Sequence, residues 1–306
     1  MPHRTLAELK HKFGPVIWLR VGARNTMVIQ SAKAAANHFK NHDISLAGRT
    51  TTEASQVYDY HKGSLALAPY GSHWRVLRRL VTVDMLVNKR INETSFVRKK
   101  CLEKLQLWIE EEASKLKEGH GVHVASLKAT GDEPAKISDH DVNIFILEIF
   151  LACSETTRIE WALTELLCNP EKLIKAKAEL TQVIGPSCRK VEEGDIEKLP
   201  YLQENPDVWD DEPAFFKPER FIGTKWDCKG QHFEFIPFGS GRRVCAGLPL
   251  AHRMLHLTLG MFLHQFDWEL GGDVTRGNID WKDKLGITMR KSEPSLNTWS
   301  NGCPCP

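Results

Sequence analysis

Apolar residues recur every three or four positions over most of the chain, which is the period of an α-helix with one buried face. The pattern is clear at Leu102, Leu105 and Trp108, which are three positions apart, and again at Leu255 and Leu259, which are four apart. The helices predicted in this way cover residues 32–40, 73–86, 92–117, 138–167, 171–184 and 248–266. Most of the chain is therefore expected to be helical.

Several residues mark the ends of these helices. Ser31 and Ser72 each precede a helical segment and are expected to cap it, because a serine oxygen can accept a hydrogen bond from a backbone N–H of the first turn. Asn169 and Pro170 separate two segments, and proline is typical of a first helical turn. These signals support separate helices rather than one continuous helix.

A strand pattern is clear only near the N-terminus. Residues 16–21 and 26–29 are rich in β-branched residues, and a turn at Gly22 and Asn25 separates them, so they predict a β-hairpin. A second small sheet is expected near the C-terminus. Residues 204–235 are rich in proline, aspartate and aromatic residues without a period, which predicts an irregular segment. The predicted fold class is mainly α with a small β component.

Composition restricts the functions that the chain could have. Of 306 residues, 42% are hydrophobic and 26% charged, which is typical of a globular protein. The formal net charge is only +2, which argues against a nucleic-acid partner. The eight cysteines are scattered and no secretory signal opens the chain, so free thiols in a reducing compartment are expected. The longest apolar run, 144–153, is too short to span a bilayer, so no membrane span is expected.

One cysteine lies in a segment that suits cofactor chemistry. Residues 238–247 contain Cys245 among three glycines, including Gly241 and Gly247, which allow tight turns and close approach of a flat ligand. A cysteine thiolate can hold the iron of a haem, and the start of the helix that follows favours an anion. Phe238 would shield the sulfur, and Arg243 could pair with a haem propionate. The alternative is a buried structural cysteine in a glycine-rich turn.

The pattern Phe-x-x-Gly-x-Arg-x-Cys-x-Gly over 238–247 resembles the haem-binding signature of the cytochrome P450 family, and the chain is similar to its plant microsomal members. The resemblance implies haem b as cofactor and Cys245 as the iron ligand. Trp74 and Arg78 resemble the family's Trp-x-x-x-Arg pair, which implies that both meet the haem propionates. The alternative for them is an amphipathic helix with a solvated basic face.

The resemblance also implies a reaction. Glu155 and Thr156 resemble an acid–alcohol pair at a kink in the family's long helix, where such a pair relays protons; a solvated helical turn is the alternative. The implied activity is that of an oxidoreductase, a monooxygenase that inserts one oxygen atom into a small lipophilic substrate. Electrons would come from an NADPH-dependent cytochrome P450 reductase.

The chain also departs from the family. It is interpreted as a single P450-like domain over 1–306, incomplete, with abrupt seams near 130–131 and 203–204. The second seam falls where family members carry a Glu-x-x-Arg helix that braces the haem loop. Residues 297–306 have no family counterpart and are expected to be disordered.

These departures leave other functions open. The resemblance implies localisation at the cytosolic face of the endoplasmic reticulum membrane, where family members are held by an N-terminal anchor. A chain without that anchor is expected to be cytoplasmic or peripheral. An inactive relic that binds haem weakly or not at all is one alternative to a monooxygenase, and a helical interaction protein is another.

Overall fold

The computed structural model describes residues 2–117, 159–185, 189–199, 227–270, 274–275, 277–285, 289–292 and 298–301. In chain order the described α-helices are α1 (Pro2–Phe13), α2 (Ala32–Leu46), α3 (Glu53–Gln56), α4 (Tyr60–Gly63), α5 (Ser72–Arg79), α6 (Asn88–Glu93), α7 (Ser95–Lys117), α8 (Ile159–Cys168), α9 (Pro170–Ile184), α10 (Glu193–Ile196) and α11 (Leu248–Gln265). The described strands are β1 (Val16–Val21), β2 (Arg24–Ile29), β3 (Phe266–Glu269), β4 (Asp283–Leu285), β5 (Met289–Lys291) and β6 (Thr298–Asn301). The predicted fold class, mainly α with a small β component, is confirmed.

The predicted hairpin forms, with β1 antiparallel to β2. The turn is shorter than predicted, because Val21 pairs with Arg24 and Asn25 already lies in the strand opposite Arg20. Gly22 makes this turn possible with φ of 62°, a left-handed conformation that suits glycine.

Helix α2 begins as predicted, and the Ser31 hydroxyl accepts a hydrogen bond from the Ala34 N–H at 3.2 Å. It continues six residues beyond the predicted Lys40 to Leu46, with a kink at His42, where φ is −132°. The kink redirects the last turn of the helix, which approaches the cysteine loop.

The predicted cap at Ser72 is wrong. Ser72 is the first residue of α5, and Gly71 occupies the N-cap position in an extended conformation. Helix α5 continues into a π-helical turn, Leu80–Met85, which ends where the Leu86 N–H donates to the Val81 carbonyl at 2.7 Å.

The helix predicted over 92–117 is interrupted near its start, because α6 ends before Thr94 and α7 begins at Ser95. The Thr94 hydroxyl donates to the carbonyls of Arg90 at 3.1 Å and Ile91 at 3.0 Å. A threonine that bonds the backbone of the preceding turn competes with continuation of the helix.

A hydrophobic core lies where α8, α9 and α11 meet. Leu163, Leu180 and Leu263 contribute one residue from each helix and are at most 1% exposed. The predicted boundaries of α9 and α11 are confirmed to within one residue. This packing fixes the far end of α11, the helix whose first turn follows the cysteine loop.

The expectation that 297–306 is disordered needs correction for four residues. Strand β6 pairs antiparallel with β3, with Phe266 opposite Asn301 and Glu269 opposite Thr298. The polar composition of the tail did not reveal this pairing, because the partner strand lies about thirty residues earlier in the chain.

Candidate functional site

The cysteine loop, residues 238–247, folds back on itself immediately before α11. The Cys245 N–H donates to the Phe238 carbonyl at 2.9 Å, and the Val244 N–H donates to the Gly241 carbonyl at 3.1 Å. Gly239 and Gly241 have φ of 73° and 66°, values that other residues rarely adopt. The Cys245 thiol is free and exposed at the surface of this loop.

Helix α11 begins at Leu248, three residues beyond the cysteine. Gly247 is the N-cap residue, and its carbonyl accepts from the Ala251 N–H at 2.8 Å. The Sγ of Cys245 lies 3.8 Å from where a Cβ on Gly247 would be. Gly247 therefore places the sulfur of Cys245 beside the first turn of α11.

Helix α5 packs beside the loop, since Ala246 contacts the buried Leu77 and Val81. This contact brings the half-buried Arg78 close to Cys245. Burial lowers the pKa of Arg78, and interaction with Cys245 partly offsets that shift. The Arg78 guanidinium makes no hydrogen bond or ion pair with any residue that the structure describes, so it remains able to bind an anion.

Trp74 is 3% exposed and lies one helical turn before Arg78. Its indole N–H donates to the Leu65 carbonyl at 2.8 Å. The ring of Tyr70 lies 5.5 Å away, and the Arg243 guanidinium lies over the indole at 4.2 Å. Trp74 therefore connects α5 to the preceding segment and provides a surface on which Arg243 rests.

Arg243 binds the protein backbone through all three guanidinium nitrogens. Nε donates to the carbonyl of Ala47 at 2.8 Å, Nη1 to that of Leu65 at 3.0 Å and Nη2 to that of Ala68 at 2.6 Å. Burial, followed by the positive charges of Arg49 and Arg78, lowers the pKa of Arg243. The side-chain N–H groups of Trp74 and Arg243 thus donate hydrogen bonds to backbone carbonyls, whereas those of Arg78 have no acceptor among the described residues.

Sequence reasoning missed two residues that hold the cysteine loop. The buried Ser240 hydroxyl donates to the Gly230 carbonyl at 2.6 Å, and Asp43 accepts from the Arg242 N–H at 3.1 Å. Neither partner is close in sequence, and no motif marks them. The predicted relay residues Glu155 and Thr156 lie outside the described residues, so that prediction stays a prediction.

The described groups fit one face of a haem. Cys245 offers a soft sulfur ligand suited to iron, and the absence of an anionic partner for Arg78 among the described residues suits a propionate carboxylate. A second positive charge, on Arg243, lies near Arg78. Cys245 would hold the iron and Arg78 a propionate.

Fold and site together define a mainly helical protein with a glycine-rich cysteine loop before a helix, and comparisons with known proteins identify the class. The sequence profile of the family described as Cytochrome P450 matches residues 1–121, 95–204 and 202–297. "Cytochrome P450 76A2" from Solanum melongena is 34% identical over 444 aligned positions, covering 95% of this chain and 88% of the relative. "Iridoid oxidase" from Catharanthus roseus is 32% identical, covering 96% and 87%.

The chain belongs to the cytochrome P450 family. Members of this family are monooxygenases that bind haem b, and they generally use a reductase and lipophilic substrates. A solved structure, "Zebra fish cytochrome P450 another structure with Abiraterone", superposes with a TM-score of 0.72 over 98% of this chain and 99% of that chain, at 17% identity. This likeness concerns the fold alone.

Two further observations qualify the match. The alignment with the first relative has 444 positions and this chain has 306 residues, so at least 138 of those positions have no counterpart here. Across the described parts of the chain, no helix combines the length and the apolar character needed to cross a membrane.

Proposed function

We propose that this chain binds haem b through Cys245 and inserts one atom of dioxygen into a small lipophilic substrate. The observation that carries the proposal is the exposed Cys245 thiol, held in a glycine loop at the start of α11 beside a half-buried arginine without a partner among the described residues. A sulfur ligand suits the iron of a haem, and a nearby cation suits a carboxylate of the same haem.

The residues of the chain would have distinct roles in this reaction. Cys245 would bind iron through Sγ, and Arg78 would orient the cofactor through a propionate. Trp74 and Arg243 would hold the wall beside that carboxylate, through the backbone carbonyls that they already bind. The haem, when bound, supplies the chemistry that activates dioxygen.

Phe238, Gly241 and Gly247 would shape the surface against which the cofactor lies. The Phe238 carbonyl accepts from the Cys245 N–H, which fixes the direction of the sulfur. The proposal also includes Glu155 and Thr156, whose carboxyl and hydroxyl groups would pass protons to the dioxygen that reacts.

Two relatives support a lipophilic substrate. One is named "Iridoid oxidase" and another, from Swertia mussotii, "Geraniol 8-hydroxylase", with 32% and 26% identity to this chain. A terpenoid-like molecule is the substrate class that we propose, with electrons from an NADPH-dependent cytochrome P450 reductase.

An inactive relic is the second candidate, and a specific observation favours it. The second and third segments matched by the family profile overlap at residues 202–204, where the sequence lacks the expected Glu-x-x-Arg motif. Loss of a bracing helix on the thiolate side would loosen the ligand loop and weaken haem binding.

The carbon monoxide difference spectrum of the reduced, haem-reconstituted chain separates the two candidates. We expect an absorption band of the thiolate type, lost in Cys245→Ser and retained in the control Cys101→Ser, which changes another exposed free thiol. A band of the histidine type, or failure to take up haem, would favour the relic and contradict the monooxygenase.

A further inference from the structure

The cysteine loop is anchored to α2 through Arg242, the residue between the glycine and the arginine of the loop motif. The Arg242 backbone N–H donates to Asp43 Oδ1 at 3.1 Å, and the Nε of the same arginine lies 2.9 Å from Asp43 Oδ2. One carboxylate thus binds both the backbone and the side chain of a single loop residue. This arrangement fixes position and orientation together, which a contact to the side chain alone would not do.

Tyr70 completes the anchor from the other side. Its hydroxyl lies 3.1 Å from Nη1 of Arg242, and its ring lies 5.4 Å from the centre of the guanidinium. Arg242 is therefore held between the end of α2 and the segment that precedes α5. Asp43 and Tyr70 form the Arg242 clamp.

At residue 241, which precedes Arg242, the loop backbone approaches α2 so closely that only glycine fits. A Cβ on Gly241 would lie 2.6 Å from Asp43 Oδ1 and 2.8 Å from Cδ1 of Phe39. The kink at His42 immediately precedes Asp43, and it turns the final residues of α2 away from the helix axis. The bend in α2 and the absence of a side chain at Gly241 thus both allow Asp43 to reach the loop backbone.

The three arginines near the thiol have different partners. Arg242 binds Asp43 and Tyr70, and Arg243 binds three backbone carbonyls. Within the described part of the chain, Arg78 alone among them makes no hydrogen bond or ion pair through its guanidinium. The clamp is thus separate from the cation that suits a propionate.

We propose that Asp43 is a positioning residue for Cys245: through Arg242 it holds the ligand loop in the conformation that directs the thiolate towards iron. The proposal rests on the proposed function for the identity of the ligand. The proposal also assigns the loop an anionic brace, from α2, that does not depend on the sequence around residues 203–204, where the family's Glu-x-x-Arg motif is missing.

Amide hydrogen exchange in the haem-free chain provides a test that does not depend on activity. In Asp43→Ala, we expect exchange at the Val244 and Cys245 amides to accelerate about tenfold or more, the effect of losing a hydrogen bond to a charged group. Both amides bond within the loop rather than to Asp43, so faster exchange there reports loosening of the whole loop. Glu93→Ala is the control, because it removes the exposed ion pair with Arg90 elsewhere.

Two milder variants keep the test decisive if Asp43→Ala folds poorly. Asp43→Asn keeps an oxygen acceptor for the Arg242 N–H but loses the charge, and we expect an intermediate acceleration. Tyr70→Phe keeps the ring beneath the guanidinium and loses the hydroxyl, with a smaller effect. Equal acceleration at the core Leu180 amide, or exchange unchanged in Asp43→Asn, would overturn the proposal.

The haem-loaded chain gives the second readout. We expect the thiolate-type fraction of the carbon monoxide spectrum to fall in the order wild type, Asp43→Asn, Asp43→Ala, and to be unchanged in Glu93→Ala. If the wild-type chain takes up no haem, the proposed function fails, yet the exchange measurement still decides the role of Asp43. A thiolate-type fraction that is the same in all variants would overturn that role.

Discussion

At the scale of single residues, two histidines with the same kind of backbone contact differ in how deeply they are buried. His38 and His256 each bond through Nδ1 to the carbonyl four residues earlier, at 2.9 Å and 2.5 Å respectively. His38 is half-buried in α2, whereas His256 is 8% exposed in α11. The sequence shows both histidines on helices but not this difference, because burial depends on what packs against each helix.

The buried histidine should make stability depend on pH. Burial lowers the pKa of His256 to about 4, while the backbone bond to His252 opposes the shift and the charge of His252 adds to it. Between that value and the ordinary 6.5, the unfolded chain binds a proton that the folded chain does not. The free energy of unfolding should therefore fall as the pH drops through this window, by roughly 3 kcal/mol in full.

Urea unfolding at about pH 7, 5.5 and 4.5 measures this dependence. We expect His256→Gln to flatten this pH dependence of the free energy of unfolding relative to wild type. The same slope in both proteins would show that His256 does not contribute.

At the scale of elements, one carboxylate joins three helices. Glu193 of α10 accepts from Nε of Arg98 at 2.6 Å, and its other oxygen lies 3.3 Å from Nη1 of Arg253. Arg98 belongs to α7 and is 7% exposed, and Arg253 belongs to α11. The buried arginine depends on this carboxylate for its charge balance, although Thr94 and the Ile91 carbonyl also accept from it.

Neutralising Glu193 should therefore be costly. We expect Glu193→Gln to lower the free energy of unfolding by about 3 kcal/mol or more, because it leaves a buried charge without compensation. The neighbouring Glu192 pairs with Lys99 at 3.4 Å, and both side chains are more than half exposed. Glu192→Gln should change stability by less than about 0.5 kcal/mol, and equal losses in denaturant unfolding would contradict this account.

The elements differ in how far the sequence predicts them. Helices α9 and α11 have long apolar faces and a proline in the first turn, so their period and ends are local properties. The break at Thr94 depends on one hydroxyl that bonds the backbone, and β6 depends on a distant partner strand. Local pattern therefore predicts the long helices, whereas tertiary contacts determine the short elements.

The same distinction applies to the candidate site. The motif over 238–247 identifies Cys245 because glycines and a cysteine at this spacing have few other uses. It identifies neither Asp43 nor Ser240, since their partners Arg242 and Gly230 come from segments brought together only by folding. The side chains proposed to bear the chemistry belong to a motif that is visible in the sequence, whereas Asp43 and Ser240, which hold the loop in place, are found only in the structure.

At the scale of the whole molecule, the C-terminal residues connect back to the core. Strand β6 pairs with β3, which directly follows α11. Strand β3 has its own attachments: Phe266 is 1% exposed, the Trp268 indole donates to the Phe262 carbonyl at 2.9 Å, and Asp267 pairs with Lys177. It should therefore stay in place when β6 is removed.

Two truncations test whether the tail contributes to the fold. A chain ending at Asn297 loses β6, and we expect faster exchange at the backbone amides of β3 and a free energy of unfolding lower by about 1–3 kcal/mol, the effect of losing a few backbone hydrogen bonds. A chain ending at Asn301 loses Cys303 and Cys305 but keeps the ladder, so it should behave as wild type. If the two truncations leave exchange in β3 equally unchanged, residues 298–301 are dispensable for the fold. If only the shorter chain loosens β3, strand β6 is part of the fold that holds α11 and the loop before it.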